Sequence, residues 1–442
     1  MVKTIAETTP NVGKPDPDRL FNAGTIALVL VGLPARGKTH VGRSLRRYLR
    51  WLGVQTQVFH VGDYRRRLLP KKIGHDDFTP DQEDTYELRH QVADVALEDM
   101  IKWLKSSGQV GIYDASNITE ERRRAVLEVL EKNDIQTIFI ESICDDPKII
   151  EANVRNVKIS SPDYTSWNPN DAVKDFVRRI NSQVPYYETI TNRSLSFVKL
   201  INAGDQFILN NIHGYLPTRI VFYLMNLHIN QRTIYFAMSG ETSIESYKAD
   251  PPLNGRGLRY GESLKNVVLT HRRRKILSGE EIRPLTIWTS SRRRMLETVQ
   301  SFPEDVKVRQ MSDLLELNPG EIDEMTEEQV KAKYPEEYEK HRQDPYNHRY
   351  PRGESYHELA IRLEAVILQL EREKNDVLIL ADEAVLRTLY AYYFGRPTTY
   401  IPHIHIPRDT LIEVIPSSYG CQEHRIYIED EMEFADLTGD FD

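Results

Sequence analysis

Cysteine is scarce in this chain. Only Cys144 and Cys421 occur among 442 residues. That excludes a disulfide scaffold and a cysteine-ligated zinc site, and it suits a reducing cytosol. No apolar run approaches the roughly 20 residues of a membrane-spanning helix. The opening MVKTIAETTPNVGKPDPDRL has no apolar stretch and does not read as a secretory signal. A basic excess is also missing. With 58 Lys+Arg against 66 Asp+Glu the net charge is −8, which leaves no general basic face for nucleic acid or a membrane surface. What remains is an ordinary globular balance, 40% hydrophobic and 28% charged, with length enough for two or three domains. The expectation is a soluble cytoplasmic protein.

Residues 1–20 are rich in Pro, Thr and Asp, carry no periodicity, and read as a flexible tail. From Gly24 the pattern changes. TIALVLV (25–31) is the short β-branched run of a buried parallel strand, and HVGRSLRRYLRWLG then repeats apolar residues at helical spacing. Further strand-like runs are TQVFHVG (56–62), QVGIYD (109–114), QTIFIES (136–142) and VKLIN (198–202), with helix-like stretches between them. Segment 206–231 reads as a junction in which HGYLPTRIVFYLMN is an apolar helix or strand. A second series then follows: RTIYFAM (232–238), LTIWTS (285–290) and DVLILA (376–381), alternating with helices such as SYHELAIRLEAVILQLERE. Both series predict α/β domains with parallel sheets, one over 21–228 and one over 229–428. The last stretch, 429–442, holds seven acids and no base, and reads as a solvated acidic tail.

Gly32-Leu33-Pro34-Ala35-Arg36-Gly37-Lys38-Thr39 fits G-x-x-x-x-G-K-[ST] between a predicted strand and a predicted helix. Glycines let backbone N–H groups curl around phosphate oxygens, Lys38 supplies a point charge and Thr39 offers a hydroxyl to Mg²⁺. The following helix points its positive end at the anion. Such a site needs an acid at the end of a neighbouring strand, and Asp114 is the candidate, followed by the small polar Ser116 and Asn117. Tyr64-Arg65-Arg66-Arg67 follows another strand end, where guanidinium groups suit an anionic substrate. Arg89, Lys158 and Arg179 each read alone as surface charges. Spacing and composition support an ATP-dependent kinase acting on a small phosphorylated acceptor.

Taken together, GLPARGKT, FHVGDYRRR, FTPD, YDASNITEERRR, FIESICDDP, NVKISSPDY, TRIVFYLMN, TIYFAMSGE, YPEEY, RYPRGESY and AVLRTLYAYYFG resemble the bifunctional 6-phosphofructo-2-kinase/fructose-2,6-bisphosphatase family. They lie in order from residue 32 to residue 395, so the resemblance covers most of the chain. It implies a P-loop kinase that moves the γ-phosphoryl of MgATP to the 2-hydroxyl of fructose 6-phosphate. By the same resemblance Gly32, Gly37, Lys38 and Thr39 hold ATP and Mg²⁺. Asp114 takes a metal-binding or base role, Asn153 contacts the nucleotide, and Lys158 is the catalytic lysine. Arg65, Arg66, Arg89 and Arg179 bind the sugar phosphate, with Ser116 as the hydroxyl residue of the acceptor motif. Where many members carry a tyrosine that contacts the sugar phosphate, this chain has Gln183, so the departure bears on fructose 6-phosphate affinity. A homodimer is compatible with the resemblance.

The second half resembles the histidine-phosphatase fold of phosphoglycerate mutases, with its catalytic positions changed. The family's R-H-G reads Met238-Ser239-Gly240, so the phosphate-binding arginine and the nucleophilic histidine are both replaced. The second histidine position is Asp382, in Ala381-Asp382-Glu383-Ala384-Val385, and a family asparagine is Glu245. Arg294 and the acid Glu316 remain. A carboxylate about 4 Å from a phosphate costs several kcal/mol at an effective dielectric near 20. The expectation is a folded but inactive bisphosphatase half. Arg292 and Arg293 read as a solvated helix face and Cys144 as an inert buried thiol. His403 and His405 alternate at strand period in IPHIHIP but lack a third metal ligand.

Overall fold

The computed structural model describes residues 24–68, 83–147, 150–151, 153–154, 168–228, 232–244, 246–417 and 420–428. The two tails, Lys158 and Glu245 lie outside the described residues.

The first half is built on one sheet of six strands: β1 (Ile26–Val31), β2 (Thr56–His60), β3 (Val110–Asp114), β4 (Gln136–Ile143), β5 (Phe197–Ile201) and β6 (Gln206–Asn210). Their order is β2-β3-β1-β4-β5-β6; β6 alone is antiparallel to its neighbour. All six residues of β1 are buried, as a strand covered on both faces requires. Helices described in this half include α1 (Lys38–Trp51), α2 (Val61–Leu68), α3 (Glu83–Ser106), α4 (Glu120–Glu131), α5 (Pro169–Gln183) and α6 (Tyr215–Asn226). On α1, Val41, Leu45, Tyr48 and Leu49 form one buried stripe at helical spacing. Thr119 caps α4 by accepting from the Arg122 N–H.

The second sheet contains β7 (Ile234–Ala237), β8 (Leu285–Thr289), β9 (Lys307–Gln310), β10 (Asp376–Leu380), β11 (Thr410–Ser417) and β12 (Gly420–Tyr427). Its order is β12-β11-β7-β10-β8-β9, parallel from β7 to β9, with β11 antiparallel to both its neighbours. Around it lie α7 (Gly255–Leu277), α8 (Arg293–Val299), α9 (Glu327–Lys333), α10 (Pro335–Gln343), α11 (Tyr356–Arg372) and α12 (Glu383–Phe394). Ser355 and Glu358 form a reciprocal capping box at the start of α11. The two halves share a core in which Leu45, Tyr48, Trp51 and Tyr223 meet Leu363 and Tyr392.

Several sequence expectations need correction. Val61 and Gly62 begin α2 rather than ending a strand. The segment read as a junction contains β6, and its apolar stretch is the helix α6. The strands β9, β11 and β12 were not foreseen; all four residues of β9 are exposed, so no apolar run marks it. IPHIHIP is not a strand, because His403 closes a 3₁₀ helix over Thr398–His403 and His405 follows in a loop.

Candidate active site

In the first half the order of strands places the end of β1 between the ends of β3 and β4. An open α/β sheet binds ligands at such a switch point, beyond the carboxyl ends of its strands. The phosphate loop leaves β1 there. Gly32 has φ +137°, and a Cβ on it would stand 2.5 Å from the Ser142 carbonyl oxygen at the end of β4, so only glycine fits. Gly37 is left-handed at φ 83° and precedes the first helical residue, Lys38. The Gly32 N–H donates to the Ser116 carbonyl at 2.9 Å, and Asn117 Nδ2 donates to the Leu30 carbonyl at 2.8 Å. These two bonds tie the loop after β3 to the loop after β1.

Asp114, the last residue of β3, is 3% exposed. Its Oδ2 lies 2.8 Å from His60 Nδ1, and the carboxylate also faces Lys38 and a hydroxyl bond from Thr39. Burial pushes the Asp114 carboxyl up, but His60, Lys38 and Thr39 together outweigh it and hold the group below the usual carboxylate range. It is therefore an ionised, oxygen-only donor beside a threonine hydroxyl. That donor set fits Mg²⁺, which prefers one or two carboxylates plus phosphate oxygens. Lys38 Nζ donates to the Leu33 carbonyl at 2.6 Å, over the loop itself. Asn153 Nδ2 donates to the Ala35 carbonyl at 3.0 Å, which fastens the nucleotide candidate to the same loop.

His60 was missed in the sequence. The register pairs it directly with Asp114, and residues in register on parallel strands share a face. The available signal was that both residues close a strand. Arg65 and Arg66 lie on α2, immediately past His60, with Arg66 paired to Asp63. Arg89 lies on α3 and is half-buried, Ser116 is half-buried beside the loop, and Arg179 belongs to α5. Gln183, at the end of α5, is 9% exposed and its Oε1 has no hydrogen-bond partner among the described residues. Cys144 is buried, and burial raises its thiol.

In the second half Met238 and Ser239 follow β7 and are buried. Their carbonyls accept from Tyr260 Oη at 3.1 Å and Arg408 Nη1 at 3.0 Å. The structure brings Arg294, Glu316 and Asp382 together: Arg294 Nη2 donates to Asp382 Oδ2 at 2.7 Å and pairs with Glu316. Arg292 departs from expectation. It is not a solvated helix residue, since its Nη2 lies 3.0 Å from Glu316 Oε1 and its guanidinium stacks on Tyr247. Arg293 is exposed, as read. The pocket thus pairs two guanidinium groups with two carboxylates. Burial and the Asp382 charge push the Glu316 carboxyl up to about 8. Beside it, a cavity of about 410 Å³ is lined by Glu316, Glu354 and Glu358, and by Arg362, which already binds Glu354. Glu383 pairs with Arg387 at 2.6 Å, and His405 stands 3.6 Å from it in solvent. Among the described residues no group of three or more His, Cys, Asp or Glu side chains is placed to hold a metal ion. No described helix is long and apolar enough to cross a membrane.

Residues 18–231 match the family model of 6-phosphofructo-2-kinase, and residues 240–428 match that of the histidine phosphatase superfamily, branch 1. The chain is 38% identical over 421 residues to 6-phosphofructo-2-kinase/fructose-2,6-bisphosphatase 3 of Rattus norvegicus, covering 93% of this chain and 74% of that protein. It is 38% identical over 411 residues to 6-phosphofructo-2-kinase/fructose-2,6-bisphosphatase of Gallus gallus, covering 91% of this chain and 85% of that protein. Among solved structures, an alpha-ribazole phosphatase from Shigella flexneri matches 45% of this chain and 96% of its own, at 18% identity and a TM-score of 0.36.

Proposed function

Because the chain belongs to the 6-phosphofructo-2-kinase/fructose-2,6-bisphosphatase family, we propose that its first half phosphorylates the 2-hydroxyl of fructose 6-phosphate from ATP, and that its second half hydrolyses nothing. The observation that carries the kinase reading is the buried, ionised Asp114 facing Lys38 and Thr39 at the mouth of the phosphate loop. The loop amides and Lys38 hold the phosphates, with Asn153 beside them. Mg²⁺, when bound by Asp114 and Thr39, neutralises charge that builds between the β- and γ-phosphates. A carboxylate held below its usual range is a weak base, so Asp114 suits a cation better than a proton. In the transfer the substrate O2–P bond forms, the β–γ bridging bond breaks, and the hydroxyl proton leaves to solvent. Arg65, Arg66, Arg89 and Arg179, with Ser116, receive the sugar phosphate, and Lys158 meets the transferring group.

The bisphosphatase half is read as inactive because its anion site is already filled from within. Asp382 and Glu316 occupy Arg294, and Glu316 also occupies Arg292. A dianionic substrate would have to displace the Asp382 carboxylate and the Glu316 carboxyl, both covalently tethered there. Ser239 stands where a nucleophilic imidazole would, and a serine needs an adjacent general base to attack phosphorus; among the described residues no hydrogen bond joins its hydroxyl to one.

The protein is read as cytoplasmic and as a homodimer. β6 forms the outer edge of the first sheet, with Ile208 and Leu209 about half exposed, and such an edge suits pairing with a second copy. The kinase reading is tested by supplying MgATP with a panel of sugar phosphates, using Lys38→Ala as the control. Fructose 2,6-bisphosphate formed by the wild type and not by the variant supports it. Turnover of a different acceptor in preference would overturn the substrate assignment.

A further inference from the structure

Helix α1 has two ends with different neighbours. Its first residue is Lys38 of the phosphate loop, and its later turns enter the seam with the second half. Nine residues separate Lys38 from Arg47, a rise of about 13–14 Å at 1.5 Å per residue. Arg47 Nη2 lies 2.6 Å from Glu371 Oε1, and Glu371 belongs to α11 of the second half. Arg232 Nη2 binds the other oxygen of that carboxylate at 3.0 Å, and Tyr392 Oη donates to Oε1 at 2.7 Å. The Arg47 guanidinium also lies over the Tyr392 and Tyr393 rings, 4.9 and 5.3 Å from their centroids. The next residue, Tyr48, stacks on Tyr223 at 4.3 Å and donates to Glu364 Oε1 at 2.7 Å. His40, next after Thr39, faces the same charges, and its Nε2 is buried with no hydrogen-bond partner among the described residues.

A buried ion pair adds little net stability over an apolar contact of the same shape; its best-attested use is to fix register. The apolar part of this seam tolerates small rotations and slides of α1, as ridges shift in grooves. A carboxylate held by two guanidinium groups and a phenol tolerates one position. We infer that Glu371, from the second half, is a positioning residue for the nucleotide site: by holding Arg47 it sets the rotation and height of α1, and so the aim of the backbone N–H groups at Gly37, Lys38 and Thr39. This rests on reading the phosphate loop as a nucleotide site. It also gives a half whose catalytic pocket is filled from within a part in the kinase.

The test measures MgATP affinity calorimetrically on the full chain, so that it does not depend on turnover. Glu371→Gln is expected to weaken binding roughly 5–20-fold, within the usual range of coupling between sites. Combining it with Arg47→Met is expected to add little beyond either change alone. Asp376→Asn is the control, because it breaks the buried Arg272–Asp376 pair (2.6 Å) within the second half. It should lower the melting temperature and leave MgATP affinity at the wild-type value. If Glu371→Gln does not fold, Tyr392→Phe removes one hydrogen bond to Glu371 and should weaken binding in the same direction by about 2–3-fold. Unchanged affinity in both Glu371→Gln and Tyr392→Phe overturns the inference, as does an equal loss in Asp376→Asn. Wild-type protein that binds no MgATP overturns instead the nucleotide reading on which it stands.

Discussion

Among single residues, Asp114 matters most to the phosphate-loop site. It is buried, yet three neighbours keep it ionised, and that charge faces the hydroxyl of Thr39. Asp114→Asn keeps the shape and removes the charge. Initial-rate kinetics should show kcat lowered about 10²–10³-fold, the usual loss when one preorganised electrostatic group is removed. Gln183 makes the opposite case, since its buried Oε1 has nothing to accept from among the described residues. Gln183→Tyr is expected to lower KM for fructose 6-phosphate several-fold with kcat little changed; an unchanged or raised KM would remove Gln183 from the sugar site. The loop residues Gly32 to Thr39 and Asp114 were legible because their chemistry fixes both type and spacing. His60 was not, because it becomes a partner of Asp114 only through the register of β2 on β3. Arg292 was misread for a similar reason: three consecutive arginines look alike in sequence, and only the turn before α8 sends the first one inward to Glu316.

Among the elements, the loops beyond β7, β8 and β10 hold an internal salt-bridge cluster of Arg292, Arg294, Glu316 and Asp382. Glu316 has its folded-state value raised to about 8. A raised carboxyl value favours the protonated folded form, so the stability it contributes is full below pH ~4.5 and is lost as pH rises through about 8. Trp288, fully buried in β8, reports on this half. Its fluorescence-detected denaturation should fall in midpoint between pH 5 and pH 9, and Glu316→Gln should flatten that dependence. A wild-type midpoint that rises over the same interval would contradict the cluster as described. Restoring both histidines in Ser239→His/Asp382→His is expected to give no measurable hydrolysis, since Met238 still leaves the phosphate short of one arginine. Appreciable phosphate release from that variant would show that the substituted histidines alone were limiting. The elements themselves were legible wherever a strand is buried on both faces, as β1, β4 and β10 are. β6, β9 and β12 lie toward sheet edges, carry exposed residues, and leave no such run.

At the scale of the whole molecule, two α/β halves share a seam made of polar as well as apolar groups. The alternation of strands and helices made both halves visible in the sequence, but not how they meet. Arg47 and Tyr48 lie on α1, Glu371 on α11 and Tyr392 on α12, and no local pattern in the sequence sets these helices side by side. Burial pushes the Glu371 carboxyl up, but Arg47, Arg232 and Tyr392 overcome it and hold the group at about 2. The sign is opposite to that of Glu316: the stability Glu371 contributes is present above pH ~4.5 and is lost as pH falls toward 2. Calorimetric unfolding should therefore be one transition near neutrality and separate into two as the pH is lowered from about 4.5 toward 2. Two transitions at all pH values would mean that the seam does not couple the halves. On the proposed function this molecule makes fructose 2,6-bisphosphate and does not destroy it. The most direct measurement follows that product at neutral pH, first with MgATP and fructose 6-phosphate present, then for hours after ATP is removed. The expected result is product that requires Lys38 and then holds constant in the presence of the protein; no product despite MgATP binding, or a protein-dependent decay with release of phosphate, overturns the proposed function.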